Sequence, residues 1–297
     1  LNRVTVDGDL LANVGGLNRQ FQTHSLTGAM FEGLEVIKGH TPDRSADSLG
    51  GTINLKTRSP LSLKEKRRVD YNFSARWAPP FTQQIPLRRD HPLHPLLNLA
   101  YQEVFSVLGG DRNLGVAVNA FYSENVTGWF RTIRDYQNTT NQPAYLWDYR
   151  TYDGYNNRKQ SSLNLKFDFR LSPNSKLSLN TIYNDAFEPF GRNWEVRAFT
   201  AQNIAVIGAN GQPTGTNAIL PGFTSRITQV RPVAASTVQI TEAGGSFLNR
   251  TRSVNCGGEH EWSRLSLDYN AAYSQTHINI SNAGFAGLSL SVTGVGW

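Results

Sequence analysis

The side chains able to do chemistry are few along this chain of 297 residues, and they do not assemble into a reaction centre. Glu32 and Glu35, like Glu259 and Glu261, are carboxylates close in sequence, but no acid, base or metal ligand stands at a spacing that would make either pair catalytic. His91 and His94 fall in the Pro-rich run HPLHP, which reads as a surface loop. The single cysteine, Cys256, can form no internal disulfide and has no Cys or His at metal-ligand spacing, so it reads as a small side chain on a strand. No Gly-x-Ser-x-Gly, Gly-x-x-x-x-Gly-Lys or His-Glu-x-x-His run is present. Recognition is the chemistry on offer; no catalysis, cofactor or metal is expected.

Recognition chemistry concentrates in residues 124–158, which read as a long loop. There Trp129, Phe130, Tyr136, Tyr145, Trp147, Tyr149, Tyr152 and Tyr155 are interleaved with Arg131, Arg134, Asp148, Arg150 and Asp153. Flat rings with hydrogen-bonding tips suit stacking on a sugar or an aromatic chelator. Two arrangements are open. In one, Trp129, Phe130, Arg131, Tyr145, Trp147, Tyr149, Tyr152 and Tyr155 contact a ligand; in the other, the rings pack the loop onto itself.

The elements that must position these residues are strands. From Val69 onward, apolar side chains recur at every second position. Val69, Tyr71, Phe73, Ala75 and Trp77 share one face of a first strand, and Leu97, Leu99 and Tyr101 one face of a second, where Glu103 breaks the pattern and predicts a bulge or an interfacial position. Leu114, Val116, Val118, Ala120 and Tyr122 make a third. The fourth is the cleanest: Leu163, Leu165, Phe167, Phe169 and Leu171 alternate with Asn164, Lys166, Asp168 and Arg170. Leu177, Leu179, Thr181 and Tyr183 mark a fifth. A weaker sixth spans residues 247–262, and Leu265, Leu267, Tyr269, Ala271 and Tyr273 mark a seventh. Burying Lys, Asp and Arg at alternate positions of a soluble core is costly, whereas a water-filled lumen accepts them.

Connections sharpen the choice. Residues 108–112, 172–175 and 263 are tight turns, while 78–95, 124–158 and 188–245 are long. Short turns at one end and long loops at the other are expected of an outer-membrane barrel. Trp77, Tyr122, Tyr183, Trp262 and Tyr273 near strand ends fit interfacial aromatic girdles. Mean hydropathy is −0.41 and no apolar run approaches the ~18 residues of a spanning helix, which a barrel does not need. The formal charge of +6 comes from 29 basic residues scattered among 23 acidic ones, so nucleic acid is not an expected partner. The Lys64–Arg68 cluster KEKRR reads as a solvated linker.

Residues 31–60, FEGLEVIKGHTPDRSADSLGGTINLKTRSP, read as a strand ended by Gly39, a Pro42/Asp43 turn, and a second strand opened by Gly50 and Gly51. Glu35, Lys38 and Gly39, then Gly50, Gly51, Asn54 and Arg58, stand in an order that resembles the plug domain of TonB-dependent outer-membrane receptors. The resemblance covers roughly the first fifth of the chain. It implies an all-β fold, a transmembrane antiparallel β-barrel, incomplete here, with a small α+β plug remnant: residues 1–60 a partial plug, residues 61–297 barrel strands and extracellular loops. It further implies residence in the bacterial outer membrane, contact with outer-membrane lipid, a TonB energising complex acting on the full-length protein, and a small nutrient ligand, carbohydrate or another organic molecule ahead of an iron chelate. Seven strands against the roughly 22 of plugged transporters, and no leader before the strand and turn RVTVDG, make a fragment the expectation. A soluble extracellular carbohydrate-binding β-sandwich is the alternative that the aromatic segment supports.

Overall fold

The computed structural model describes residues 3–10, 28–38, 51–77, 92–281 and 289–297. Four short strands, β1 (Arg3–Val6), β2 (Asp9–Leu10), β3 (Phe31–Ile37) and β4 (Thr52–Thr57), form one small sheet in the order β2-β1-β4-β3. Asp7 and Gly8, at φ +50° and +93°, close β1 onto β2; two consecutive positive-φ residues give a turn whose twist matches the paired strands. β1 runs parallel to β4, and β3 antiparallel to it. The turn expected at residues 40–48, with Gly39 and Gly50, lies outside the described residues. Among the described residues there is no α-helix of the kind an α+β plug implies.

A larger antiparallel sheet contains all seven strands expected from alternation: β5 (Arg67–Trp77), β6 (Leu93–Phe105), β7 (Leu114–Gln137), β8 (Tyr145–Ser172), β9 (Ser175–Phe199), then, after the short pair β10 (Val206–Ile207) and β11 (Pro213–Thr214), β12 (Thr237–Trp262) and β13 (Leu265–Ser281). A last strand, β14 (Ser289–Thr293), resumes the pairing with β12 further along than β13. The edge strands β5 and β13 do not pair with each other among the described residues, so the sheet is open there.

Four local expectations are corrected. The long connection expected at 188–245 is only 200–236, since β9 runs on to Phe199 and β12 begins at Thr237. Residues 124–158 are not a loop: β7 and β8 run on as a hairpin closed only at residues 138–144, because cross-strand pairs continue after the apolar alternation stops. Of the two readings of Glu103 the bulge is ruled out, since β6 keeps unbroken register with both neighbours. It lies buried on the otherwise apolar face, where Arg67 Nε and Nη2 donate to it at 2.9 and 3.0 Å and the Tyr101 hydroxyl donates a third bond. His94 is no surface histidine: it belongs to β6, fully buried, with Nδ1 3.9 Å from a Glu124 carboxylate oxygen.

Burial on the large sheet inverts the usual rule that apolar side chains go inside. In the central strands Leu163, Phe167, Leu179 and Tyr183 are exposed, while Asn164 is 1% exposed and Asp168 and Asn184 are fully buried. The buried face is held by hydrogen bonds: Asn119 Nδ2 donates to Asn164 Oδ1 at 3.3 Å, and Asn164 Nδ2 to Asn180 Oδ1 at 2.6 Å, a ladder across β7, β8 and β9. The small sheet sits on this polar face, with Val6 and Met30 packed on Ile182.

The outward apolar stripes have a common length and a regular drift. They cover residues 69–77, 114–122, 163–171 and 265–273, nine residues each. Pairing carries Val69 through Tyr101, Val118, Leu165, Thr181 and Val254 to Tyr273. The first residue of the stripe on β5 is therefore level with the last on β13, a drift of eight residues over six strand-to-strand steps.

Asn164→Ala should lower stability by about 1–3 kcal/mol, because it strands the amides of Asn119 and Asn180 on a buried face. A denaturant midpoint unchanged from the parent would contradict the ladder's role.

Candidate functional site

Two places bring functional side chains together. The first is the junction of the two sheets. The Asp7–Gly8 turn aims the Asp7 carboxylate at the large sheet, where Oδ2 accepts from Lys166 Nζ at 3.3 Å, from Asn180 Nδ2 at 2.9 Å and from the Thr57 hydroxyl. Oδ1 accepts the Thr57 amide at 2.9 Å, and Lys166 Nζ also donates to Thr57 Oγ1 at 2.8 Å. One carboxylate thus ties β1, β4, β8 and β9 together. Ser59 Oγ donates to buried Asp168 at 2.9 Å, and at the near edge Asn270 Nδ2 donates to Asp9 at 2.6 Å. The chain leaves the small sheet through a turn at Pro60 that presses on β7: a Cβ on Gly115 would meet Pro60 and the Leu61 nitrogen at 3.0 Å. Arg112 then clamps the following residues, donating through Nη2 to the carbonyls of Leu63, Lys64 and Glu65.

Beside this junction lies a cavity of about 520 Å³, with Asp7, Thr57, Lys166, Asp168, Lys176 and Asn180 on its wall. Ammonium groups, carboxylates and amides share its lining, with Glu32, Glu259 and Asp268 tipping the balance toward negative charge, a wall that hydrogen-bonds water or a polyhydroxylated solute and disfavours an anion. Among the described residues no group of His, Cys, Asp and Glu is placed to hold a metal ion.

The residues of the Gly-Gly strand motif serve this sheet. Asn54 Oδ1 accepts from Thr5 Oγ1 at 3.0 Å and from the Gly8 amide at 2.9 Å, and its Nδ2 donates to Glu35 at 3.2 Å. Gly51 sits at φ +109°, where a Cβ would strike the Ile37 carbonyl oxygen at 2.7 Å, so glycine is required. Arg58 reaches Asp70 of β5 at 3.3 Å. Lys38 follows the end of β3. Of the junction residues, the sequence marks Lys166 only as one of the polar alternate residues of its strand and does not single out Asp7, Thr57 and Asn180. Their only local sign is the Asp-Gly turn, since Asp7 and Lys166 lie 159 residues apart.

The second place is the extended β7–β8 hairpin. Trp129 stands opposite Gly154 and lies over it: a Cβ there would meet the indole ring at 2.6 Å. Arg131 donates to the Tyr152 hydroxyl at 3.3 Å, and the Arg134 guanidinium lies 5.9 Å from the Tyr149 ring centre. Tyr145 is buried against Ala218, Ile219 and Val230 of the connection 200–236, with Trp147, Phe223 and Trp297 around it. Its hydroxyl donates to the Gln202 carbonyl at 3.0 Å. Phe130 is 67% exposed, and Tyr155 is half-buried. The rings are therefore distributed over both faces: Trp129, Tyr149 and Tyr152 engage their own hairpin, Tyr145 and Trp147 pack with the 200–236 connection, and Phe130 stands exposed. Charge accumulates beside them: buried Asp148 accepts from Arg197 Nε at 3.0 Å and from Arg150 Nη2 at 2.9 Å. The bond to Asp148 raises the Arg197 guanidinium above its already high ordinary value. The Arg197 contribution is fully present below the unfolded arginine value and is lost only as pH rises through its raised folded value, so Arg197 stays charged at neutral pH.

No protein-family model matches the sequence, and no curated protein matches it. Among solved structures, the siderophore receptor PiuA from Acinetobacter baumannii superposes over 94% of this chain at 10% identity and a TM-score of 0.25, a score too low to establish a shared fold. This chain spans about half of that structure, 54% of its length.

Replacing Lys166 by Met should loosen the small sheet while leaving the large one formed. Hydrogen exchange of the β1 amides is expected to speed up by about tenfold or more, the equivalent of losing charge-assisted bonds worth about 1.5–3 kcal/mol. Unchanged exchange in β1 would show that the junction does not depend on this residue.

Proposed function

We propose that this chain is part of an outer-membrane β-barrel receptor for uptake of a small nutrient, with the apolar face of the large sheet toward lipid, the polar face toward a water-filled lumen, and the four-stranded sheet as a plug in that lumen. The observation that carries the reading is the outward apolar belt and its drift. Eight residues over six strand steps, at about 3.3 Å per residue and about 4.8 Å per strand, incline the belt by about 40° to the hydrogen-bond rows. Strands of membrane barrels tilt by about 35–45°. Nine residues at that tilt rise roughly 23 Å, close to the apolar band of about 25 Å on such barrels.

A soluble sandwich would bury the Leu163–Phe167 face under a second sheet, and among the described residues none covers it. Tight turns at residues 173–174 and 263–264 end the strands on one side, with the β7–β8 hairpin and the 200–236 connection on the other. In hydrocarbon the free edges of β5 and β13 must be paired, so the reading requires further strands to close the barrel. Its partners are outer-membrane lipid around the belt, the TonB energising complex acting on the plug of the whole receptor, and a nutrient entering from the side of the long hairpins.

The test is a pair of charge insertions read by urea unfolding in lipid vesicles. Phe167→Arg, in the middle of the belt, should cost about 2–4 kcal/mol, and Ser178→Arg, facing the polar cavity, much less. Equal costs, or the reverse order, would contradict the assignment of faces.

A further inference from the structure

We infer that an outward-facing cleft at the upper border of the belt binds the phosphate of an outer-leaflet lipid headgroup; this rests on the membrane reading above. The cleft, about 220 Å³, is lined by Arg250 and Arg252 of β12 and by Gln275 and His277 of β13. Its position follows from register. Val254 pairs with Tyr273, the last apolar residue of the β13 stripe; the next outward pairs are Arg252 with Gln275 and Arg250 with His277. On the neighbouring strand β9 the outward face turns polar at the same border, with Asp185 after Tyr183. Headgroup phosphates lie at this depth, where the hydrocarbon ends.

The two arginines are differently committed. Arg250 Nε and Nη2 donate to Asp185 Oδ2 at 3.1 and 2.7 Å, and the same carboxylate oxygen accepts the Tyr183 hydroxyl at 3.2 Å. Arg252 has no ion pair among the described residues; its guanidinium lies 5.8 Å from the Tyr183 ring centre, which holds the group in place and leaves its donors unspent. The result is a planar donor fork beside an imidazole and an amide, with one carboxylate set against two arginines. A guanidinium fork matches phosphate oxygens in paired, charge-assisted bonds. A lipid phosphate arrives with acyl chains that lie along Tyr273, Val254 and Cys256 below the cleft, an advantage a free anion lacks.

The experiment measures retention of lipid A, a diphosphorylated glycolipid, by the full chain in mixed micelles, using native mass spectrometry. Wild-type protein should retain lipid A in preference to its dephosphorylated form, and Arg252→Ala should weaken retention by about tenfold, with Arg252→Lys between them. Excess inorganic phosphate should not displace the lipid; displacement would mean a general anion site and would overturn the lipid assignment. Equal retention by Arg252→Ala, or no wild-type preference for the phosphorylated form, would also overturn it. The wild-type comparison stands even if the variant does not fold. Flotation with plain phosphatidylcholine vesicles separates the two levels: protein that does not float refutes the membrane reading and the cleft together, whereas protein that floats without lipid A preference refutes the cleft alone.

Discussion

The architecture depends on one constraint: polar side chains on the covered face of the large sheet must find partners, because an unpaired buried amide or carboxylate costs more than a hydrogen bond returns. Asn119 Nδ2, Asn164 and Asn180 meet it by bonding to one another in register, and the ladder ends on Asp7 of the small sheet, while Asn119 Oδ1 and the Asn249 amide have no protein partner among the described residues. The small sheet is thereby seated by hydrogen bonds and by the ion pairs of Asp7 with Lys166 and of Arg58 with Asp70 more than by its apolar cluster, which among the described residues joins Val6, Met30 and Ile182 with Phe31 and Leu55. An interface of this kind is specific in register yet compatible with water. The apolar side chains, released from any duty in a core, are free to make the opposite face.

Beyond the belt the rules change. β7, β8, β9 and β12 continue well past the last apolar stripe residue, and the pairing is held by other means: Trp129 over Gly154, Asp148 between Arg150 and Arg197, Arg158 on Glu188 at 2.8 Å. Register shifts at Asp135/Tyr136, Asp153/Gly154 and Thr241/Ala243 fall in this extension, where they re-aim side chains without ending the strands. The connection 200–236 packs against Tyr145 and Trp147 with Trp297, making a second apolar cluster at the far end from the junction.

This division explains what was legible in the residues. The belt region was readable because one face is apolar and period two is strong there: Leu163 to Leu171 sets strand, face and partner spacing at once. In the hairpin both faces meet water, so Arg131, Thr132, Arg134 and Asp135 alternate nothing, and a strand of high β-propensity residues looked like a loop. Glu103 looked like a defect because its partner, Arg67, is 36 residues away in a cluster that reads as linker. The Asp7 junction was invisible for the same reason at greater range. Of the Gly-Gly motif, Gly51, Asn54 and Glu35 have clear structural duties, and none of them reaches the aromatic hairpin.

The central claim is that the apolar face of the large sheet meets hydrocarbon. Cys256, the chain's single cysteine, is exposed on that face between Leu179 and Ala271, and so carries a depth probe without any substitution. With a nitroxide attached there and the protein reconstituted in vesicles, spin relaxation by dissolved oxygen is expected to exceed relaxation by a water-soluble nickel chelate. Relaxation dominated by the nickel chelate would place Cys256 in water and contradict the account.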